Sequence, residues 1–166
     1  MRLLLCTMMA CVMVCPATAQ NLFHKDRFSL YAAGHQVGGD LEGLDEGAFV
    51  GIRFKGPQKG RFQIGVELEA GLSDSEIQLE HYSLNAVSEI KLFTFANLLL
   101  GAGLSQWEKD AWEEPGINLI AGFSAPVGKG ISVFVRRDWW RAGESNYLVR
   151  DDLNVDLTKA GFYYSF

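Results

Sequence analysis

From Phe62 to Leu72 every even position is apolar: Phe62, Ile64, Val66, Leu68, Ala70 and Leu72. The odd positions between them are Gln63, Gly65, Glu67, Glu69 and Gly71. A helix would spread such a pattern over all of its faces, whereas a period of two gives a strand with one apolar and one polar side. The run is long enough for a tilted strand to cross a bilayer, which takes about 9–11 residues. The preceding segment repeats the pattern, with Ala48, Val50, Ile52 and Phe54 against Phe49, Gly51, Arg53 and Lys55. Gly56-Pro57-Gln58-Lys59-Gly60 joins the two and is a tight turn by composition.

The alternation recurs along the chain. Tyr82, Leu84, Ala86, Ile90 and Leu92 interleave with Ser83, Asn85, Glu89 and Lys91. Leu98 to Leu104, Ile117 to Ala125 and Ile131 to Val135 behave alike, while Phe28, Leu30 and Ala32 open the series and Ala160, Phe162, Tyr164 and Phe166 close it. Eight strands result. Short links follow the even-numbered strands, at Gly56 to Gly60, Phe93 to Phe95 and Pro126 to Gly130. Longer polar links follow the odd-numbered ones, at Val37 to Glu46, Ser73 to Leu79, Trp107 to Gly116 and Arg141 to Asp152. No helical period of useful length interrupts them. The expectation is an all-β, antiparallel, up-and-down transmembrane β-barrel in one domain, with short turns on one rim and long loops on the other.

The first nineteen residues read differently. Met1-Arg2 is a positive start, Leu3 to Val14 is apolar, Pro16 breaks the run, and Ala17-Thr18-Ala19 supplies the small residues a signal peptidase reads. Residues 1–19 are thus expected to be a cleaved secretory signal and 20–166 the barrel. A lipoprotein signal is the rival reading, since Cys6, Cys11 and Cys15 lie in the segment, but none follows a Leu-small-small context. All three cysteines leave with the signal, so the mature chain has no disulfide and must hold together by pairing and burial. The net charge of −5 comes without a basic stripe, which argues against nucleic acid as a partner.

Alternation alone does not say which face looks outward, because a soluble ligand-binding barrel alternates with its apolar face inside. Three features favour a membrane barrel. The polar face holds Gly51, Gly65, Gly71, Gly101, Gly103, Gly122 and Gly161, which weaken a solvated strand but make room in a narrow lumen. The apolar face carries one charge through the strand centres, Arg137, near the long-loop rim. Aromatic residues fall into two girdles: Phe54, Phe62, Phe95, Tyr164 and Phe166 at the short-turn ends, and Tyr82, Trp107 and Trp139 at the long-loop ends.

The closing residues Phe162-Tyr163-Tyr164-Ser165-Phe166 resemble the C-terminal signature of outer-membrane barrels, with aromatics two and four places before a final Phe. The layout of the whole mature chain is similar to the small OmpA/OmpX-like barrels of Gram-negative outer membranes. The resemblance implies an outer-membrane location, contact with outer-membrane lipid and lipopolysaccharide, a monomer, and reading of Phe162, Tyr164 and Phe166 by the barrel-assembly machinery.

The polar face also collects charge. Arg53, Lys91, Arg136 and Lys159 balance Glu67, Glu69, Glu89 and Asp138. In an eight-strand lumen, wide enough only for side chains, such a set is expected to form a salt-bridge network that plugs the barrel. The opposing reading is an enzyme that modifies lipid A. Lipid A deacylase barrels carry a His-x-Ser pair on the seventh strand, where this chain reads Arg136-Arg137-Asp138-Trp139-Trp140. Lipid A palmitoyltransferase barrels use a His, an Asp and a Ser near the outer rim. Here His35 and His81 stand near that rim among Ser29, Ser73, Ser75 and Ser83, with no spacing that makes a unit of them, and are expected to be solvated. No catalytic residue, cofactor or metal ligand set is assigned. Acidic loops, Asp40, Glu42, Asp45 and Glu46 in the first and Glu108, Asp110, Glu113 and Glu114 around Trp107 and Trp112 in the third, are candidate contacts for a host or surface ligand.

Overall fold

In the computed structural model, which describes residues 27–39, 47–73, 80–109, 112–142 and 154–166, eight strands close into one barrel. They are β1 (Phe28–Gly39), β2 (Gly47–Lys55), β3 (Phe62–Ser73), β4 (Glu80–Phe93), β5 (Ala96–Lys109), β6 (Trp112–Gly128), β7 (Ile131–Ala142) and β8 (Asn154–Ser165). Each pairs antiparallel with its sequence neighbours, and β1 pairs with β8 from Ser29↔Ser165 to Gly39↔Val155, so no strand edge is left open. Residues 1–19, expected to be a signal, lie outside the described residues. So do most of the first, second and fourth long links, including Asp40, Glu42, Asp45 and Glu46.

The period-two pattern becomes inside and outside. Ile64 and Leu104 on the outer face are 64% and 65% exposed, and Val50, Ile117, Phe123 and Val135 stand out beside them. Their polar-parity neighbours are buried: Glu67, Asn85, Asn118, Arg136 and Lys159 all face the lumen. A soluble protein would not clothe itself in a continuous aliphatic band and bury ion pairs within; a barrel standing in hydrocarbon does both.

The lumen is filled rather than open. Tyr31, Ala33, Val87, Leu99, Ile120, Phe134 and Tyr163 form one buried apolar cluster. Two glycines make the fit possible. A Cβ at Gly51 would overlap the ring of Tyr31, and one at Gly71 would overlap the ring of Phe49. Large rings thus lie flat across strands that carry no side chain beneath them.

At the short-turn rim Phe62, Phe95, Tyr164 and Phe166 are exposed. Phe54 packs edge-on to Phe28 at 5.4 Å, and Phe28 in turn lies 5.6 Å from Phe166. Phe93, stacked on Phe95 at 5.4 Å, joins this group. At the opposite rim Tyr82 and Trp139 are half-exposed on the outer face. Trp107 is not with them. It is 1% exposed and points into the lumen, because it shares the parity of Gly103 and Ser105 and is paired across the sheet with inward-facing His81.

A second departure concerns the third long link. β5 and β6 stay paired as far as Lys109↔Trp112, leaving residues 110–111 to join them. Ladder hydrogen bonds need only backbone, so the pairing continues through Glu108, Glu113 and Glu114 after apolar alternation has stopped.

Overfilling the glycine seats is expected to destabilise the barrel. Gly51→Val and Gly71→Val should each lower the unfolding free energy by about 1–3 kcal/mol, while outward-facing Val50→Leu should leave it unchanged. Guanidinium titration of tryptophan fluorescence in detergent micelles measures all three.

Candidate functional site: the charged and aromatic lumen

Arg136 on β7 is shared by three buried carboxylates of the lumen, Glu67, Glu69 and Asp138. Its Nη1 donates to Glu67 Oε2 at 2.6 Å and its Nη2 to Glu69 Oε2 at 2.5 Å. Both carboxylates belong to β3, which stands four strands from β7 in a ring of eight, so the guanidinium ties opposite walls. The same Nη2 donates to Asp138 Oδ2 at 3.2 Å, and the Arg136 Nε lies 3.1 Å from Asp138 Oδ1. Lys159 on β8 extends the group: its Nζ pairs with Glu69 Oε1 and lies 2.7 Å from Asp138 Oδ2. Neutral donors complete the coordination of the carboxylates. The Tyr31 hydroxyl donates to Glu69 Oε2 at 2.6 Å, the Tyr163 hydroxyl to Glu67 Oε1 at 3.2 Å, and Ser83 to Glu69 Oε1 at 3.4 Å.

Arg53 is held more loosely. It lies beside Glu67 in the β2–β3 register, yet its Nε is 3.5 Å from Glu67 Oε1 and its Nη2 3.4 Å from Glu89 Oε2. Its guanidinium also sits over the Tyr163 ring at 5.2 Å. Glu89 is the wettest carboxylate of the group, with its side chain 15% exposed, and accepts from Asn97 Nδ2 at 2.7 Å. The structure therefore joins Arg53, Glu67, Glu69, Glu89, Arg136, Asp138 and Lys159. It does not bring in Lys91. That residue has the inward parity but lies at the end of β4, next to a register irregularity before Phe93, and is exposed. Its Nζ donates to Gln58 in the β2–β3 turn at 3.1 Å.

Toward the long-loop end the charges give way to rings. His35 lies 4.4 Å from Phe49, Phe49 5.2 Å from His81, His81 4.6 Å from Trp107, and Trp107 6.3 Å from Trp140. Five side chains from β1, β2, β4, β5 and β7 thus form a tier across the lumen. The two histidines are not solvated rim residues. Both are buried, because their parity matches Tyr31 and Ser83 and turns them inward. His81 Nδ1 lies 3.7 Å from Glu69 Oε1, so the tier rests on the charge network, and Lys159 Nζ sits 3.8 Å from the centre of the Phe49 ring. The tier follows from counting parity outward along each strand from the glycines; girdle-spotting by residue type misplaces Trp107.

On the outer face Arg137 has an arrangement of its own. Its Nη2 donates to Asp156 Oδ2 at 2.5 Å, and its guanidinium stands 5.8 Å from the Trp139 ring. This pair is solvent-accessible and near the long-loop rim, where a charge is cheap.

Chemically, the interior is a set of matched, mutually bonded ions under a lid of rings. Buried carboxylates and cations of this kind are costly to desolvate, and partners restore the balance only when all are present. Arg136→Ala is expected to cost about 3–5 kcal/mol of unfolding free energy, because it removes the cation shared by Glu67, Glu69 and Asp138 and leaves Lys159 and Arg53 to offset three buried carboxylates. Arg53→Ala is expected to cost distinctly less. Equal melting temperatures for the two variants refolded in detergent would contradict the ranking.

Comparison with known proteins gives fold rather than ancestry. A scan of the sequence against protein-family models finds no match, and a search of curated proteins finds none either. Solved structures do match. The N-terminal β-barrel domain of Pseudomonas aeruginosa OprF superposes with a TM-score of 0.65 at 12% identity, covering 86% of this chain and 98% of that one. Neisserial surface protein A (NspA) matches at 0.60 and 15% identity, covering 84% and 96%. The outer membrane enzyme PagL matches at 0.56 and 11% identity, covering 83% and 99%. With its closed antiparallel ring of eight strands, its aliphatic outer band and its ion-filled lumen, the chain has the fold of the small eight-stranded outer-membrane β-barrels.

Proposed function

We propose that this protein is a surface scaffold in the outer membrane of a Gram-negative cell, a closed barrel that displays its long-loop rim to ligands outside. The observation that carries the reading is the cross-lumen bonding of Arg136 to Glu67 and Glu69 beneath the tier of His35, Phe49, His81, Trp107 and Trp140. A barrel so filled has its ions committed to one another and leaves the loops as the part free to bind. In this reading residues 1–19 direct export, Phe162, Tyr164 and Phe166 are recognised during assembly, and the protein works as a monomer without cofactor.

The fold is shared by a protein named for the cell surface and by one named as an enzyme, so the site has to decide. The inward-turned histidines favour the scaffold. A base acting on a lipid would have to reach the outer face, whereas His35 and His81 are packed among rings inside.

Replacement of residues 40–46, 74–79 and 143–153 by short Gly/Asn turns tests the proposal on whole cells. The expected result is a variant that still shows heat-modifiable gel mobility but loses adhesion to host cells or matrix. A changed lipid A acyl pattern on overexpression, seen by mass spectrometry, would overturn the scaffold in favour of an enzyme. Ohmic single-channel conductance in a planar bilayer would overturn the plugged lumen.

A further inference from the structure

The two rims differ in charge as well as in length. The segments 40–46, 74–80 and 108–114 on the long-loop side are acidic in sequence, with Lys109 the one base among them. The short-turn side is the reverse. Among the described residues it exposes Lys59, Arg61, Lys91 and Lys129 and no carboxylate side chain, since Glu89 is turned inward and held by Arg53 and Asn97.

Three of these cations are neighbours. Lys59 and Arg61 belong to the β2–β3 turn, where Lys59 and Phe62 exchange backbone hydrogen bonds. The Lys91 backbone N–H donates to Arg61 O at 2.8 Å and its side chain to Gln58, which anchors the end of β4 to that turn. Lys129 stands apart, in the β6–β7 turn next to Gly130, whose carbonyl accepts from Ser165 N–H at 2.7 Å. Exposed aromatics flank both sites: Phe62, Phe93 and Phe95 on one side, Tyr164 and Phe166 on the other. Rings of this kind settle at the boundary between hydrocarbon and headgroups, which sets the depth of the cations beside them. Long basic side chains at that depth extend into the headgroup layer.

We propose that this rim is a binding surface for anionic phospholipid headgroups, phosphodiesters with net negative charge, in the leaflet on the short-turn side. The proposal rests on the membrane reading above. Four cations that face no exposed carboxylate side chain among the described residues attract such a leaflet, and the attraction falls with ionic strength. The acidic rim repels the same lipids, so the asymmetry also favours one orientation of the barrel over the other.

The test uses the protein purified from membranes and reconstituted in phosphatidylcholine bilayers with a trace of spin-labelled phosphatidylglycerol or spin-labelled phosphatidylcholine. Electron paramagnetic resonance then reads the motionally restricted lipid at the barrel surface. The expected result is a preference for phosphatidylglycerol of about two- to fourfold at low salt, lost at high salt. It should fall to none in Lys59→Gln/Arg61→Gln/Lys91→Gln/Lys129→Gln and by roughly half in Lys59→Gln/Arg61→Gln, with Arg137→Gln at the opposite rim unaffected. Exposed side chains are replaced throughout, and heat-modifiable mobility verifies folding of each variant. No preference in the wild type, a preference indifferent to the four substitutions, or an equal loss in Arg137→Gln would overturn the proposal. So would co-sedimentation with purified peptidoglycan that needs the four cations while the lipid preference does not, which would assign the rim to the cell-wall polymer. Failure of the wild type to enter bilayers would instead overturn the membrane reading itself.

Discussion

The guanidinium of Arg136 is the point on which the interior of this barrel turns. It connects β7 to β3 across the ring, through residues that are 67 and 69 positions apart in the chain. A charge buried that deeply is tolerable only if its partners are fixed, because desolvation costs several kcal/mol per ion and only short, well-aligned bonds offset it. The partners are fixed by the backbone ladder: Glu67 and Glu69 by the pairing of β3 with β2 and β4, and Asp138 by its place on the same strand. The network in turn braces the cross-section that strand number and stagger define, since walls joined by bonds of 2.5–2.6 Å cannot move apart singly.

Packing above and around the network is a consequence of that cross-section. An eight-stranded lumen has room for side chains and little else, so each large ring requires a small residue opposite or beneath it. Tyr31 lies over Gly51 and Phe49 over Gly71. Tyr31 joins the two systems, its ring in the apolar cluster and its hydroxyl on Glu69. The outer face is under no such geometric demand. It needs only to be apolar in the middle and amphipathic at its margins, which is why its composition is simple and its aromatic residues gather at the ends. The rims differ in charge, with segments 40–46, 74–80 and 108–114 acidic in sequence on the long-loop side and Lys59, Arg61, Lys91 and Lys129 exposed on the other.

Much of this was legible in the chain because strand parity is a strict code. The strand count, the antiparallel ring and the glycine-rich face follow from alternation, and the same parity puts Arg53, Glu67, Glu69, Arg136, Asp138 and Lys159 in one lumen. Parity read to its end would also have placed Trp107, His35 and His81 inside. Assigning Trp107 to a girdle and the histidines to a wet rim came from residue type, which is a weaker guide than position. Lys91 errs the other way: its parity is inward, but parity has no force where a strand runs out past the closed part of the barrel. The third loop was hidden for a related reason, since backbone pairing between β5 and β6 persists through charged residues that carry no alternation.

By itself, then, the sequence determined the class of structure: period two over eight segments permits a closed sheet, and the apolar face free of central charge permits that sheet to stand in a membrane. It also determined most of the residues that share the interior, with Lys91 at the end of its strand the exception. What it left open is who bonds to whom. Arg136 could have paired with any inward carboxylate, and its choice of β3 over Glu89 depends on how far the strands are staggered and how wide the ring is when closed. Those are properties of eight strands at once, carried by no single segment, and only the tertiary structure decides them.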